Sequence, residues 1–212
     1  MSRTTVMLVD DHAVVRVGFR LLLQAALDLP VVAEADSGEQ AVTLYTEARP
    51  DVVVMDLAMA GGGGIEAIKR IVARDNRARI LALSAHEDLS HPKRALKAGA
   101  LGYLSKRSAP ETLIEAIRIV AAGGLYIDAA IARHMAAQGL SGNRSPIEQL
   151  SEREFQVFVQ LAHGVSVNRI AEILHLSPST VGTHLYNIKQ KLVVSNQAEL
   201  TLIAVQNGLI QV

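Results

Sequence analysis

Residues 52–55 constrain the fold of this chain more than any other stretch. They are four consecutive apolar residues, three of them valine, and predict a β-strand buried on both faces. The run ends at a carboxylate, Asp56, and four glycines follow at residues 61–64. Open α/β sheets place their chemistry at the carboxyl ends of parallel strands. Because an aspartate there can equally be a loop or capping residue, its meaning depends on the residues that the fold brings beside it.

Strand-like and helix-like segments alternate along residues 1–124. Five short apolar runs predict strands at residues 5–9, 31–35, 52–55, 80–83 and 102–104. Helical spacing separates these runs, and in the first helix the apolar stripe is assigned to Val14, Val17, Leu21, Leu22 and Ala25. Short connections of this kind favour right-handed crossovers between parallel strands. The sequence therefore predicts an α/β domain over residues 1–124, with a doubly wound, five-stranded parallel sheet of the flavodoxin-like type.

Polar side chains stand where these predicted strands end, namely Asp10, Asp11, Asp56, Ser84 and Lys106. The carboxyl ends of parallel strands share one edge of a sheet, so we expect these side chains to converge. Three crowded carboxylates repel each other unless a cation lies between them. Mg²⁺ suits such a site, because it prefers oxygen ligands and often binds carboxylates together with a phosphate group. A carboxylate next to such an ion can attack a phosphoryl group, while an ammonium group offsets charge on the transferring oxygens.

Composition excludes several classes of function. The chain has 21 basic and 21 acidic side chains, so charge alone predicts neither a nucleic-acid nor a membrane partner. The absence of cysteine excludes a disulfide scaffold, cysteine-ligated zinc and thiol catalysis. The first residues lack the hydrophobic region of a signal peptide, and charges or glycines interrupt every long apolar run. We therefore expect a cytoplasmic protein without a membrane partner.

The rest of the chain has no strand pattern. Residues 125–147 are predicted to be a linker that contains a helix near residues 128–138. Residues 148–212 are predicted to form a small all-α domain of four helices. Three of these helices carry N-terminal capping signals, which are Ser151 with Glu154, Ser177 before Pro178, and Asn196 with Glu199.

The third of these helices has a pattern that suits the DNA major groove. Its apolar stripe is Val181, Leu185, Ile188 and Leu192. The opposite face carries Ser179, Gly182, Thr183, Tyr186 and Gln190, with Lys189 and Lys191 on its flanks. Small polar residues there can face bases while the lysines face phosphates, and no acidic residue occurs in residues 173–198. Pattern alone still favours an ordinary amphipathic helix with a solvated face.

The first domain resembles the receiver domain of two-component response regulators over residues 5 to about 122. The resemblance is carried by the spacing of Asp10, Asp11, Asp56, Ser84, Ala85 and Lys106. It implies that a histidine kinase phosphorylates Asp56, and that Asp10, Asp11, Asp56 and the main-chain carbonyl of Ala58 hold Mg²⁺. Ser84 and Tyr103 match the family's switch hydroxyl and switch aromatic residue. Ser84 and Lys106 would engage the phosphoryl group, and Tyr103 would move with them.

One departure from the receiver pattern lies in the loop after the central strand. The family usually has proline where this chain has Ala60, and four glycines follow. Glycine costs conformational entropy when a loop becomes ordered, so we expect a more flexible loop and altered rates of phosphorylation or dephosphorylation. No ligand is lost.

The second domain resembles the LuxR-type helix-turn-helix. The matching motifs are Leu150-Ser151-Glu152-Arg153-Glu154, Ile170-Ala171, Leu176-Ser177, Thr180-Val181, Thr183-His184, Asn187-Ile188, Lys191-Leu192 and Glu199-Leu200. The resemblance adds Thr180, His184 and Asn187 to the candidate DNA contacts. Gly182 stands where the family commonly has lysine. Glycine in a helix is less favourable than a good helix former by about 1 kcal/mol. Together with Tyr186, this departure puts the family's usual DNA site preference in doubt.

The two resemblances together imply a NarL/FixJ-type response regulator. In such a protein, phosphorylation of Asp56 controls homodimerisation and sequence-specific binding to double-stranded DNA, and the protein is not an enzyme beyond its own phosphoryl turnover. Two alternatives remain: a constitutive DNA-binding regulator with an idle receiver, and a phosphorylation-switched interaction module that does not bind DNA. A phosphatase of the haloacid-dehalogenase type would need a second aspartate two residues after Asp56, where this chain has Ala58.

Overall fold

A computed structural model describes residues 3–59, 63–85, 90–140, 146–207 and 209–210. The chain divides into two compact units, the first made of residues 1–87 and 91–133 and the second of residues 88–90 and 134–212. Ala60, two of the four glycines that follow it, residues 141–145 of the predicted linker and Gly208 lie outside the described residues.

The first unit is a parallel sheet with helices. Its strands are β1 Val6–Val9, β2 Val31–Ala35, β3 Val52–Asp56, β4 Ile80–Ser84, β5 Gly102–Ser105 and β6 Tyr126–Ile127. The helices between them and after β5 are α1 Ala13–Ala25, α2 Gly38–Ala48, α3 Gly63–Arg74, α4 Ser90–Ala98 and α5 Pro110–Ala121. A further helix, α6 Ala129–Leu140, begins in this unit, and its residues from His134 on belong to the second. The strand order is β2-β1-β3-β4-β5-β6, and every pairing is parallel.

The predicted class of fold is confirmed, and the number of strands needs a correction. The sheet has six strands rather than five, because β6 pairs with β5 through Gly102 and Tyr126. This strand lies in the segment that the sequence assigned to the linker. Two residues are too short to show an alternating pattern, so only the pairing with β5 identifies them as strand.

The sheet supplies the core and carries the strand ends to one edge. All residues of β1, β3 and β4 are buried. Alternate residues of these strands, such as Val6, Leu8 and Val54, pack with buried residues of α1 and α5. In register, Val9 pairs with Met55, which places the residues that follow β1 beside Asp56.

The apolar stripe predicted for α1 is right at Leu22, which packs against the core, and wrong at its other four positions. Val14 is 86% exposed, and Val17 and Leu21 are also exposed, whereas Leu23 is fully buried. Phe19 and Leu22 pack against the same core as Leu23. The helix is apolar on most of its circumference, so periodicity does not select the buried face, and packing against the sheet does.

The second unit contains four helices around its own core. They are α7 Glu152–Ala162, α8 Val167–Leu174, α9 Pro178–Leu192 and α10 Gln197–Gln206, preceded by a 3₁₀ turn at Pro146–Gln149. The core includes Phe155, Phe158, Ile188 and Leu200. The three predicted caps are present, since Ser151, Ser177 and Asn196 each accept a hydrogen bond from a backbone N–H of the first helical turn. Among the described residues, no helix combines the length and apolar character needed to span a membrane.

Candidate functional site

Asp56 is the last residue of β3, and its side chain is completely buried. The backbone N–H of Ala58 donates a hydrogen bond to Asp56 Oδ1 at 3.1 Å. The other oxygen, Oδ2, lies 2.9 Å from the Nζ of Lys106. Apart from this ion pair, Oδ2 has no hydrogen-bond partner among the described residues. One oxygen is thus held by the backbone, and the second is paired only with a cation.

Asp10 and Asp11 follow β1 and lie beside Asp56. Asp10 is 2% exposed, and its Oδ1 accepts a hydrogen bond from the backbone N–H of His12 at 2.8 Å. The side chain of Asp11 is more exposed, and its Oδ1 lies 2.7 Å from His12 Nδ1. Candidate ligand atoms of Asp10, Asp11, His12 and Asp56 all lie within 4.8 Å of one another. The three aspartates that the sequence singled out are therefore brought together.

Lys106 bridges the two buried carboxylates. Its Nζ lies 2.7 Å from Asp10 Oδ2 and 2.9 Å from Asp56 Oδ2. The backbone places the lysine, because its N–H donates to the carbonyl of Ser84 at 2.8 Å as the chain leaves β5. A single ammonium group thus faces two carboxylates that are almost inaccessible to water.

The electrostatics of this cluster favour an additional cation. Burial raises the pKa of Asp56, and the nearby Asp10 carboxylate adds to that effect, while Lys106 and the Ala58 N–H oppose it. For Lys106, burial alone would lower the pKa, but the hydrogen bonds to Asp10 and Asp56 outweigh it and the pKa is raised. With Asp11 included, three carboxylates face one ammonium group. A hard divalent cation with oxygen ligands, such as Mg²⁺, fits this arrangement.

The remaining predicted receiver residues lie on the neighbouring strands. Ser84 is the buried last residue of β4, one residue beyond Leu83, which pairs with Asp56. Tyr103 is fully buried in β5 and pairs with Ala82. Ala58 is exposed two residues after Asp56. The sheet thus places the switch candidates on the two strands that follow β3 in spatial order.

The two faces of α9 are arranged as the sequence predicted. Val181, Ile188 and Leu192 are buried, and Leu185 is partly buried against the same core. On the other side Tyr186 is 64% exposed. The other polar candidates are exposed or partly exposed, namely Ser179, Thr180, Gly182, Thr183, His184 and Asn187. This face is available for a ligand, and its role in DNA binding stays a prediction.

The two candidate lysines of α9 have partners within the protein. Lys189 Nζ donates to the carbonyl oxygen of Ser195 at 3.0 Å. Lys191 Nζ lies 2.6 Å from Oε2 of Glu154, a buried carboxylate that also accepts a hydrogen bond from the Ser151 N–H at 2.7 Å. Sequence reasoning assigned Glu154 only a capping role and missed its second partner, because the two residues are 37 positions apart.

Two glycines have opposite surroundings. A Cβ atom on Gly64 would lie 2.0 Å from the carbonyl oxygen of Asp56, so α3 can begin beside β3 only with glycine at this position. A Cβ atom on Gly182 would meet nothing within 4 Å. The sequence treated the glycine run as a flexible loop and missed the close contact at Gly64.

Comparison with known proteins covers both units. A family model described as the response regulator receiver domain matches residues 6–118, and one described as bacterial regulatory proteins of the luxR family matches residues 148–204. Response regulator UvrY of Escherichia coli K12 is 41% identical over 206 residues, which are 96% of this chain and 94% of UvrY. Response regulator GacA of Pseudomonas viridiflava is 39% identical over 207 residues, which are 97% of each chain.

The crystal structure of the response regulator ChrA from a heme-sensing two-component system extends the match to the fold. It covers 99% of this chain and 100% of ChrA at 34% identity, with a TM-score of 0.56. The chain belongs to the NarL/FixJ family of response regulators. In this response regulator the first unit contains the receiver domain and the second contains the LuxR-type DNA-binding domain.

Proposed function

We propose that this response regulator is phosphorylated on Asp56 by a sensor histidine kinase, and that phosphorylation controls its binding to DNA. The observation that carries the proposal is the buried Asp56 carboxylate, which shares one ammonium group with Asp10 at 2.9 and 2.7 Å. Asp10, Asp11, Asp56 and the main-chain carbonyl of Ala58 would hold Mg²⁺. When bound, this ion would offset the negative charge of the carboxylates and of the incoming phosphoryl group.

The proposed reaction is transfer from a phosphohistidine of the kinase. An oxygen of the Asp56 carboxylate attacks the phosphorus; a P–O bond forms as the P–N bond breaks, and the imidazole nitrogen keeps the electron pair and takes up a proton. Lys106, already 2.9 Å from Asp56 Oδ2, is in position to pair with an oxygen of the transferred group. The Ala58 N–H holds the non-attacking oxygen in place.

We infer that the new phosphate biases a two-state receiver. Ser84 and Lys106 engage the phosphate, and Tyr103 shifts with them. A ligand that interacts differently with two conformers shifts their populations, and a phosphoryl group adds charge and acceptor oxygens at the site. The shifted state forms a homodimer, and the protein acts in the cytoplasm, without enzymatic activity beyond its own phosphoryl turnover.

The DNA-binding part of the proposal is supported by α9. Its exposed face is polar, and no acidic residue occurs in residues 173–198. The residues that would face the base edges are Ser179, Gly182, Thr183 and Tyr186. The other candidates would contact the sugar-phosphate backbone of the DNA, namely Thr180, His184, Asn187, Lys189 and Lys191. Because Lys189 and Lys191 already have partners within the protein, we expect weak non-specific binding by the monomer.

Retention of genomic DNA fragments, with and without acetyl phosphate and Mg²⁺, tests the proposal. We expect the phosphodonor to strengthen binding by the wild type and to leave Asp56→Asn unchanged. Intact-mass measurement should show one added phosphoryl group on the wild type, labile to hydroxylamine as an acyl phosphate is, and none on the variant.

Asp36→Asn is the matched control, because Asp36 is an exposed aspartate that follows another strand of the same sheet. It should respond to the phosphodonor as the wild type does. Full stimulation of Asp56→Asn would contradict the proposal. If the phosphodonor does not change DNA binding by the wild type, the receiver is idle. If no DNA is retained with or without the phosphodonor, the protein is an interaction module that does not bind DNA.

A further inference from the structure

Arg16 on α1 contacts the loop that carries the two candidate metal ligands after β1. Its Nη1 donates a hydrogen bond to the main-chain carbonyl of Asp10 at 2.6 Å. Its Nε lies 3.3 Å from Oε2 of Glu34, a residue of β2. The side chain is 19% exposed. One guanidinium group therefore ties the strand-end loop to the neighbouring strand, which uses the rigid fork of donors that arginine provides.

The hydrogen bond from Arg16 Nη1 holds the last of the main-chain polar groups of Asp10. Its N–H donates to the carbonyl of Ala35 at 3.1 Å, and its Oδ1 accepts from the N–H of His12 at 2.8 Å. The remaining main-chain group, the carbonyl, is the one that Arg16 holds. A carbonyl fixed in direction fixes the plane of the peptide that joins Asp10 to Asp11, because the peptide unit is planar.

The orientation of that peptide determines where Asp11 points. Asp11 is the most exposed of the three aspartates, and its side chain lacks the enclosure that holds Asp10 and Asp56. Its carboxylate is aimed by the backbone on which it stands and by contacts near the surface, such as that with His12 Nδ1 at 2.7 Å. A freely rotating peptide before Asp11 would therefore spread the positions of its carboxylate.

We propose that Arg16 is a positioning residue of the phosphorylation site, which holds the Asp10–Asp11 peptide so that both carboxylates converge on the Mg²⁺ position. The inference rests on the proposed function, since it concerns the metal that this site would bind. Outer contacts that orient metal ligands commonly matter for metal affinity by about tenfold or more.

The neighbouring Arg20 supplies a matched control. It lies one turn further along α1, and its Nη1 is 3.4 Å from Oε1 of the same Glu34. Among the described residues its hydrogen bond goes to Glu34 and not to the loop after β1, and its Nε has no hydrogen-bond partner there. Arg16→Gln and Arg20→Gln thus remove the same charge from the same helix and the same partner, but only the first releases the carbonyl of Asp10.

Charge and positioning predict opposite signs for Arg16→Gln. Removing a cation near the site reduces electrostatic repulsion of Mg²⁺, so a pure charge effect would strengthen metal binding. Loss of positioning would weaken it. The sign of the change in Mg²⁺ affinity therefore separates the two effects without reference to activity.

The experiment is titration of the full-length, unphosphorylated protein with MgCl₂, followed by calorimetry and by the amide NMR signals around Asp11. We expect the dissociation constant for Mg²⁺ to rise about tenfold in Arg16→Gln and to change little in Arg20→Gln. Arg16→Lys should recover only part of the lost Mg²⁺ affinity. An ammonium group lacks the rigid, planar set of donors with which the guanidinium group bonds to both the Asp10 carbonyl and Glu34. Circular dichroism without Mg²⁺ reports whether each variant is folded.

Equal Mg²⁺ affinity in the two glutamine variants, or tighter binding in Arg16→Gln, would overturn the inference. If Arg16→Gln does not fold, Glu34→Gln and Arg16→Lys decide it, because the first weakens the ion pair that anchors the guanidinium group and the second replaces that group with an ammonium group. Wild-type affinity in both variants would overturn the inference. A wild type that binds no Mg²⁺ would overturn both this inference and the metal of the proposed function, whereas equal affinities in a wild type that binds Mg²⁺ overturn the inference alone.

Discussion

At the scale of single residues, the position of Asp56 depends on a glycine that follows it in the chain. Gly64 lies in the first turn of α3, where its backbone packs against the carbonyl of Asp56. A Cβ atom there would come within 2.0 Å of that oxygen, and the obstacle is backbone rather than a flexible side chain. The last residue of β3 and the start of α3 are therefore packed as one unit.

Gly64→Ala is expected to destabilise the receiver domain by about 3 kcal/mol or more, because either β3 or α3 must move to admit the methyl group. Urea unfolding of the full chain, followed by circular dichroism, measures the change. Gly182→Ala is the control, since its methyl group meets nothing within 4 Å. There the greater helix propensity of alanine should stabilise the DNA-binding domain by about 0.5–1 kcal/mol. Similar effects of the two substitutions would contradict this account.

The sequence predicted the charged residues of the site, but it did not predict the residues that hold them in position. Asp10, Asp11, Asp56 and Lys106 could be found because parallel strands bring their ends together whatever the details of packing. Gly64 and Arg16 could not, because their roles depend on contacts with main-chain carbonyls. A carbonyl is present at every residue, so the sequence does not show which one is contacted.

At the scale of elements, the hydrophobic pattern predicted the buried face of a helix with a narrow apolar stripe and failed for a helix that is apolar on most of its circumference. In α9 the stripe of Val181, Ile188 and Leu192 is buried as predicted. In α1 the positions chosen from the same spacing, such as Val14 and Leu21, are exposed. In α9 the face opposite the apolar stripe is polar, so the spacing of apolar residues identifies the buried face. In α1 apolar residues extend beyond the buried face, so the spacing allows more than one choice.

The ion pair between Glu154 and Lys191 joins the start of α7 to the end of α9. Burial alone would raise the pKa of Glu154, but the hydrogen bonds from Lys191 and from Ser151 outweigh it, and its pKa lies below the ordinary value of 4.5. A carboxyl whose pKa is lowered by folding stabilises the folded state above its unfolded pKa. That contribution is lost as the pH falls below 4.5 and through the lower folded value.

Glu154→Gln is therefore expected to destabilise the DNA-binding domain by about 1 kcal/mol at neutral pH, a modest value because Lys191 is partly exposed. Glutamine can still complete the capping box, so the loss reports mainly the charge. The difference from the wild type should shrink as the pH is lowered below 4.5, which urea unfolding across this range can measure.

Glu172→Gln provides the comparison for that substitution. Glu172 pairs with Arg169 at 2.6 Å within α8, but both side chains are about two-thirds exposed. Exposed pairs contribute little, so this variant should resemble the wild type at every pH. A pH-independent loss in Glu154→Gln would contradict the assignment of the effect to ionised Glu154.

At the scale of the whole molecule, each unit has a hydrophobic core of its own. The receiver core includes Leu8, Val54 and Ile117, and the helical core includes Ile147, Phe158 and Leu200. The sequence predicted this division from the loss of the strand pattern after the fifth strand. It placed the end of the receiver at residue 124, whereas β6 continues the sheet to Ile127 because the N–H of Tyr126 donates to the carbonyl of Leu101.

Fragments of the chain test this organisation. We expect residues 1–128 and residues 146–212 to fold separately, because each range retains the core residues of its unit. Residues 1–124 should be less stable than residues 1–128, because that fragment lacks the pairing of β6 with β5. Thermal unfolding of the two receiver fragments, followed by circular dichroism, measures the difference.

The helical fragment also separates DNA recognition from its control. Residues 146–212 contain α9 but no Asp56, so their retention of DNA should be the same with and without acetyl phosphate and Mg²⁺. The full chain should respond to the phosphodonor, as proposed for phosphorylation of Asp56. A folded fragment that retains no DNA at low salt, where phosphate contacts are strongest, would show that α9 does not suffice for DNA binding by one domain. A fragment that responds to the phosphodonor would place the switch outside the receiver.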